Sequence, residues 1–461
     1  MKKATLSIVA ASTVASIGSF AADDLASAFK EGKASGQIRA FYINRDYTFA
    51  DSTGTSSTDN KALDRDGLAV GGKLSYETAP LYGISAGAVF YTTNAMDSAS
   101  PVASKNDTTI FGRDPVSGNR KNTTYLGQAY LQGQYGKTLV KVGRQQLDTP
   151  LAGSDDARML PTLFEAAVVI NSDIKDTTLI GSYVSKIAYG TFANAYSGGE
   201  LALISGYGNR TDYKNGYFQN MGKAALGDSA KNSGVTAAAA IYKGIPGVTL
   251  QVWDYYAHDI LNAIYAQADY SWKCLLNPAA TMTGSVQYIK ESDMHDTLNL
   301  SSASYYGAQL AMKAGSFNAA AAYSSTGKNS NSSFNGSVLT PWGGMPAFTQ
   351  GMVTRHQFFA DTTAWKVSAG YNLKDAIGQD ITASAYYALF DVNSNNNYTQ
   401  KIKTTEPGFD ITYNNAGIKN LQLRLRGNFP NDFKKTLSSS ATLKDETTSW
   451  KEYRVISNYN F

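Results

Sequence analysis

The chain has 461 residues, is 12% aromatic and carries 41 basic against 37 acidic side chains, a formal charge of +4. A balance this near to neutral excludes the dense basic patch of a nucleic-acid binder. One cysteine, Cys274, excludes an intrachain disulfide framework.

From the N-terminus, Met1-Lys2-Lys3 is positive, Ala4 to Phe20 is apolar or small, and Ser19-Phe20-Ala21 fits a small-x-small cleavage site. Residues 1–21 are therefore expected to be a secretory signal peptide, 22–33 a short N-terminal segment and 34–461 a single barrel domain. Loss of Lys2 and Lys3 lowers the formal charge to +2. After this segment no run approaches 18 apolar residues, so membrane-spanning helices are not expected. An exported, tyrosine-rich and proline-poor chain of this length, with no linker, fits a transmembrane antiparallel β-barrel instead. Each strand of such a barrel shows only one apolar face to lipid.

Period-two alternation then recurs along the chain. Gln37 to Asp46 predicts a first strand with Arg39 and Arg45, six apart, on one face. Val70, Leu74 and Tyr76 alternate with Lys73, Ser75 and Glu77. Leu81 to Tyr91 is expected to form one continuous strand. It contains Gly83-Ile84-Ser85-Ala86-Gly87, a G-x-S-x-G match that needs a strand-to-helix turn to act as a nucleophile elbow. In Tyr125 to Tyr135, Gln128, Gln132 and Gln134 oppose Ala129, Leu131 and Tyr135. Arg144 has the parity of Val140 and Val142, toward lipid.

Leu147 to Glu165 mixes charges with Leu151, Met159, Leu160, Leu163 and Phe164. A loop folded into the lumen would pack those apolar groups and present Asp155, Asp156, Arg158 and Glu165 at a constriction; a surface loop with an apolar patch is the alternative. Thr340 to Gly351 is uncharged and rich in Gly, Pro and aromatics. It is expected either to wall the constriction or to form a packed plug.

Alternation continues through Lys366 to Leu373, Ile381 to Phe390 and Leu421 to Asn428, where Arg424 and Arg426 share the polar face. In Glu452 to Phe461, Arg454 lies opposite Tyr453, Val455, Tyr459 and Phe461. Short turns such as Gly244 to Gly247 alternate with long polar loops such as Asn94 to Asn122. About 24 residues per strand and connection gives 16 to 18 strands.

Nothing points to catalysis or a cofactor. His258, His295 and His356 have no metal-ligand spacing, and Asp155-Asp156 and Asp64-x-Asp66 supply too few ligands for calcium. The constellation that remains is arginine. First and last strands adjoin in a closed barrel, so Arg39, Arg45, Arg424, Arg426 and Arg454 are expected along one inner wall. Such a column would pass an anion by stepwise exchange, or would merely line a nonspecific wet lumen.

Ile38 to Asp46, Val142 to Pro150, Ser154 to Glu165, Leu423 to Arg426 and Tyr453 to Val455 resemble the OprD-type porins, substrate-selective outer-membrane channels of Gram-negative bacteria. The resemblance implies 18 strands, a basic ladder at the five arginines and an inward third loop with Arg158 at the eyelet. It implies passive diffusion of small hydrophilic solutes, with some selectivity for carboxylate-bearing molecules. A nonselective porin and a structural or adhesive barrel with a blocked lumen are the other readings. Its partners would be outer-membrane lipid and lipopolysaccharide, barrel-assembly machinery during insertion, and small polar solutes, with no nucleic acid. Monomer and homotrimer both remain open.

Overall fold

The computed structural model describes residues 22–51, 57–59, 64–96, 107–113, 120–155, 157–195, 199–208, 215–231, 233–295, 299–300, 302–393, 401–436 and 446–461. The expected signal peptide lies outside them. A short helix, α1 (Leu25–Lys30), precedes the barrel; the Asp24 carboxylate caps it by accepting from Ser27 N at 2.7 Å.

Eighteen long strands follow. They are β1 (Lys33–Asp51), β2 (Arg65–Glu77), β3 (Ile84–Ala95), β4 (Thr123–Tyr135), β5 (Thr138–Gln145) and β6 (Leu163–Asn171). Next come β7 (Thr177–Ala188), β8 (Val235–Tyr242), β9 (Val248–Ala257), β10 (Leu261–Lys273), β11 (Ala280–Asp293) and β12 (Ser304–Ala314). The last six are β13 (Phe317–Thr326), β14 (Thr362–Asn372), β15 (Ile381–Val392), β16 (Ile402–Asn414), β17 (Leu421–Asn428) and β18 (Glu446–Asn460). Every strand pairs antiparallel with its successor, and β18 pairs with β1 from Gln37↔Asn460 to Asp51↔Glu446. Closure leaves no unpaired edge, which is what hydrocarbon demands of a spanning sheet.

The alternation sorts the side chains as the sequence predicts. Leu131, Val142, Val252, Trp365, Val367, Leu423, Tyr453 and Val455 are exposed on the outer surface, while Gln128, Gln132, Arg39 and Arg454 are buried inside. The short turns lie at one end of the barrel and the long loops at the other, the periplasmic and extracellular ends of an outer-membrane barrel. One connection at the loop end, between Ala257 and Leu261, is also tight. Leu81 to Gly83 belongs to a turn rather than to the expected strand, because Tyr82 and Gly83 take positive φ (51° and 81°). Ser85 sits within β3 and donates to Glu77 at 3.3 Å, so no nucleophile elbow forms. Cys274 lies half-buried in the turn after β10.

Among the described residues, parts of four loops leave the loop end and fold into the lumen: L2 (107–113 and 120–122), L3 (146–155 and 157–162), L4 (189–195, 199–208, 215–231 and 233–234) and L7 (327–361). L4 carries two short helices, α2 (Gly199–Ile204) and α3 (Met221–Leu226). The largest buried apolar cluster joins L3, L4 and L7 to the inward faces of β5 to β12, through residues such as Leu151, Phe192, Trp253, Tyr265 and Trp342.

Candidate solute pathway

The other side of the lumen is basic. Closure sets Arg39 opposite Asn458 and Arg45 opposite Glu452; the β17–β18 register then sets Arg424 opposite Ile456 and Arg426 opposite Arg454. All five sequence-predicted arginines therefore project inward from three adjacent strands, β17, β18 and β1. Alternation carried this far, because a residue's parity fixes its face and closure fixes its neighbours.

Each guanidinium has a fixed partner. Arg39 Nε donates to Asn458 Oδ1 at 2.8 Å and its Nη1 to the Arg158 carbonyl at 2.5 Å. Arg45 lies 2.8 Å from Glu452 and 3.5 Å from Asp107. Arg454 donates to Glu452 Oε1 at 2.5 Å and to Asn428 Oδ1 at 2.8 Å. Arg424 forks onto Asp410, with Nε to Oδ1 at 2.7 Å, and Arg426 Nε lies 3.4 Å from Oδ2 of the same carboxylate. Arg424 and Arg426 keep 29% and 16% side-chain exposure, against 1% for Arg454, so the solvent-reachable part of the wall lies at β17. A separate small cleft lies between Gln37, Arg39, Lys73 and Gln146, on the β1–β2 side of the wall.

The third loop reaches this wall, and Arg158 is fully buried. Its Nη2 donates to Glu452 Oε1 at 3.0 Å, and its guanidinium stacks on the Phe192 ring at 4.6 Å. Burial, followed by neighbouring Arg454, pushes the group down to about 10, which leaves it charged at neutral pH. Asp155 turns the other way. It pairs with Arg355 of L7 at 2.6 Å and accepts from the Tyr207 hydroxyl of L4, so it ties three loops together. Asp156 lies outside the described residues.

Glu165 requires a correction. It is not in the constriction loop, because β6 already begins at Leu163 and Glu165 has the outward parity of Ala167 and Val169. There it meets Lys186 at 2.7 Å and Arg144 at 3.6 Å, on the outer surface of the wall. Arg144 keeps the outward parity expected of it.

L7 is a packed plug. Val338, Leu339, Thr340, Trp342 and Thr349 are buried. Trp342 donates its indole N–H to the Met221 carbonyl at 3.3 Å. Gly153 N donates to Trp342 O at 3.1 Å where L3 and L7 cross. The crossing needs Gly343, which has φ of +86°, and a Cβ there would lie 2.3 Å from Gly153 O. Two wall carboxylates hold the loop. Glu406 of β16 accepts from Thr354 N at 2.6 Å, and Glu291 of β11 accepts from Leu339 N at 3.0 Å.

Sequence reasoning missed four contributors. Arg65 and Lys73 pair in register with Arg45 and Gln37, which adds two cations from β2 to the basic face. L2 reads as a long polar loop, yet Ile110 and Phe111 are fully buried and Thr93 Oγ1 donates to Ile110 O at 2.8 Å. L4 supplies Phe192, which lies within 5 Å of the Arg158 and Arg355 guanidiniums. Asp410 and Glu452 are the fourth, because no local signal shows that arginines surround them.

A family model described as outer membrane porin, OprD family, matches residues 27–461. Among solved structures, Pseudomonas aeruginosa OccK9 (OpdG) aligns with a TM-score of 0.69 at 16% identity, covering 94% of this chain and 99% of that one. OccK8 (OprE) of the same organism gives 0.67 at 15% identity over 94% and 99%, and Acinetobacter baumannii OccAB3 gives 0.69 at 13% over 94% and 100%. At these identities the likeness speaks to the fold. A sequence search of curated proteins returns no match. The family match spans the barrel from first strand to last, so the chain belongs to the OprD family of outer-membrane porins, channels for small solutes in the Gram-negative outer membrane.

Proposed function

We propose that this porin favours carboxylate-bearing solutes, which descend the arginine wall by exchanging from one guanidinium to the next. The supporting observation is the alignment of Arg39, Arg45, Arg424, Arg426 and Arg454 on the inward faces of three adjacent strands. A guanidinium binds a carboxylate through two parallel N–H donors, and a series of such sites lets an anion enter without being trapped. In this reading Arg158 guards the eyelet, and Asp155 holds the loop that carries it. The test is single-channel recording of the Arg424→Gln/Arg426→Gln double variant. Carboxylate permeation and anion preference should fall together; unchanged selectivity defeats the ladder.

A second reading, a barrel whose lumen is blocked, is favoured by the complete burial of Arg158 between the wall and Phe192. Absence of any conductance from the refolded protein in planar bilayers would select it.

A further inference from the structure

The basic wall is not left to the solute alone. Two of its own carboxylates point into it, and each is held as an incoming carboxylate would be. Glu452 receives Arg45 Nη2 at 2.8 Å and Arg158 Nη2 at 3.0 Å, together with Arg454 Nε at 2.5 Å, and is fully buried. Asp410 takes the two-pronged grip of Arg424, and Arg426 Nε lies 3.4 Å from its Oδ2 as an ion pair. Register places them on the ladder face itself: Asp410 stands opposite Arg426, and Glu452 opposite Arg45. Their exposure differs. Asp410 keeps 19% of its side-chain surface, on the solvent-reachable part of the wall, whereas Glu452 keeps none.

We infer that Asp410 and Glu452 are specificity-determining residues: Asp410 is a tethered competitor that occupies the guanidiniums a solute carboxylate must use, and Glu452 is a buried counter-charge that sets the field beside them. The inference deepens the proposed carboxylate pathway and rests on it. A carboxylate fixed on a neighbouring strand acts at high effective concentration, so a passing solute gains a guanidinium only by displacing a partner already bound. The exchange replaces one charge-assisted pair by another of the same kind. No rung then holds the solute tightly, which conduction requires. Without the competitor, the same arginines would form anion sites deep enough to retain what they bind. The exposed pair, Asp410 with Arg424 and Arg426, meets the solute as it passes; the buried pair at Glu452 sets the fixed charge beside the eyelet.

Asp410→Asn keeps size and hydrogen bonding but removes the competing charge. In planar bilayers with succinate as the probe, the variant should show individual blocking events roughly tenfold longer than the parent protein, since one charged hydrogen-bonded partner no longer has to be displaced. The reversal potential should shift toward anions, while events caused by a neutral sugar stay unchanged. Glu452→Gln should shift the reversal potential further, and Glu452→Asp should restore the parent value. Heat-modifiable migration on gels checks that each barrel has closed. A reversal potential that moves while succinate dwell does not would mean general electrostatics only, and it overturns the inference. Unchanged dwell in Asp410→Asn alongside lost carboxylate permeation in the Arg424/Arg426 variant sinks the competitor role and spares the ladder. Long succinate events in Asp410→Asn, from a parent with no carboxylate preference, do the reverse. Silence of both proteins overturns both.

Discussion

The two sides of the lumen are built from the same kind of strand and end in opposite states. From β7 to β12 the inward residues include Val184, Ala237, Trp253, Tyr255, Tyr265, Ile289 and Tyr305, and L3, L4 and L7 pack onto them as a dry core. From β16 through β18 to β2 they include arginines, asparagines and carboxylates in paired contacts, partly open to water at Arg424 and Arg426, beside a smaller apolar cluster of Phe41, Ile43, Ala69 and Ile456 under L2 and L3. Strand parity decides only that a side chain faces inward. Whether that face becomes core or channel depends on which loops come to rest on it.

Substitutions can break this contrast, and the largest effect is expected in the dry half. Trp342 is 2% exposed and joins L7 to L4. Trp342→Ala should cost about 3–5 kcal/mol, the usual range for truncating a buried aromatic, and should raise single-channel conductance as the plug loosens. An unchanged thermal midpoint and conductance would show that this side is not a core at all.

Acid offers a second, smaller probe. His356 of L7 is fully buried among Phe359, Phe390, Phe433 and the Thr404 hydroxyl, and burial pushes its imidazole down to about 3. The folded-state value is depressed, so the unfolded chain takes up a proton that the folded chain refuses. Stability is therefore full above the unfolded value of about 6.5 and falls as pH drops toward about 3, by about 1.4 kcal/mol per pH unit at most. Thermal midpoints at pH 7 and 4.5 should diverge in the parent protein and converge in His356→Gln. Equal slopes in the two would remove His356 from the account.

The smallest effect on stability belongs to the wet half. Arg424→Gln should change it by only about 0–1 kcal/mol, as for a solvent-reached ion pair, while anion preference declines measurably in the same protein. A large loss of stability here would erase the distinction between the halves.

The barrel itself was legible because its evidence is local. A residue two positions away has the same face, so Leu423 and Leu425 announce lipid while Arg424 and Arg426 announce the interior. The ladder followed from that parity and from the adjacency of first and last strands. What failed was non-local or lay at a boundary. Glu165 was assigned to a loop because its strand starts only two residues earlier, at Leu163. L4 hid its lumen role in short apolar groups such as Ala202 to Ile204 and Met221 to Leu226. Apolar groups with no use in open water mark L4 for the lumen as they mark L3. The caging of Glu452 by arginines from β1 and L3 needed the three-dimensional register, which no stretch of sequence contains.

Closure has a further consequence, for the order of events during biogenesis. Arg39 meets Asn458 across 419 residues of chain, and Arg45 meets Glu452 across 407. The three-strand basic wall is therefore complete only when the seam between the two ends is sewn. A protein stalled before that stitch would present an open hydrogen-bonding edge to lipid instead of a closed barrel.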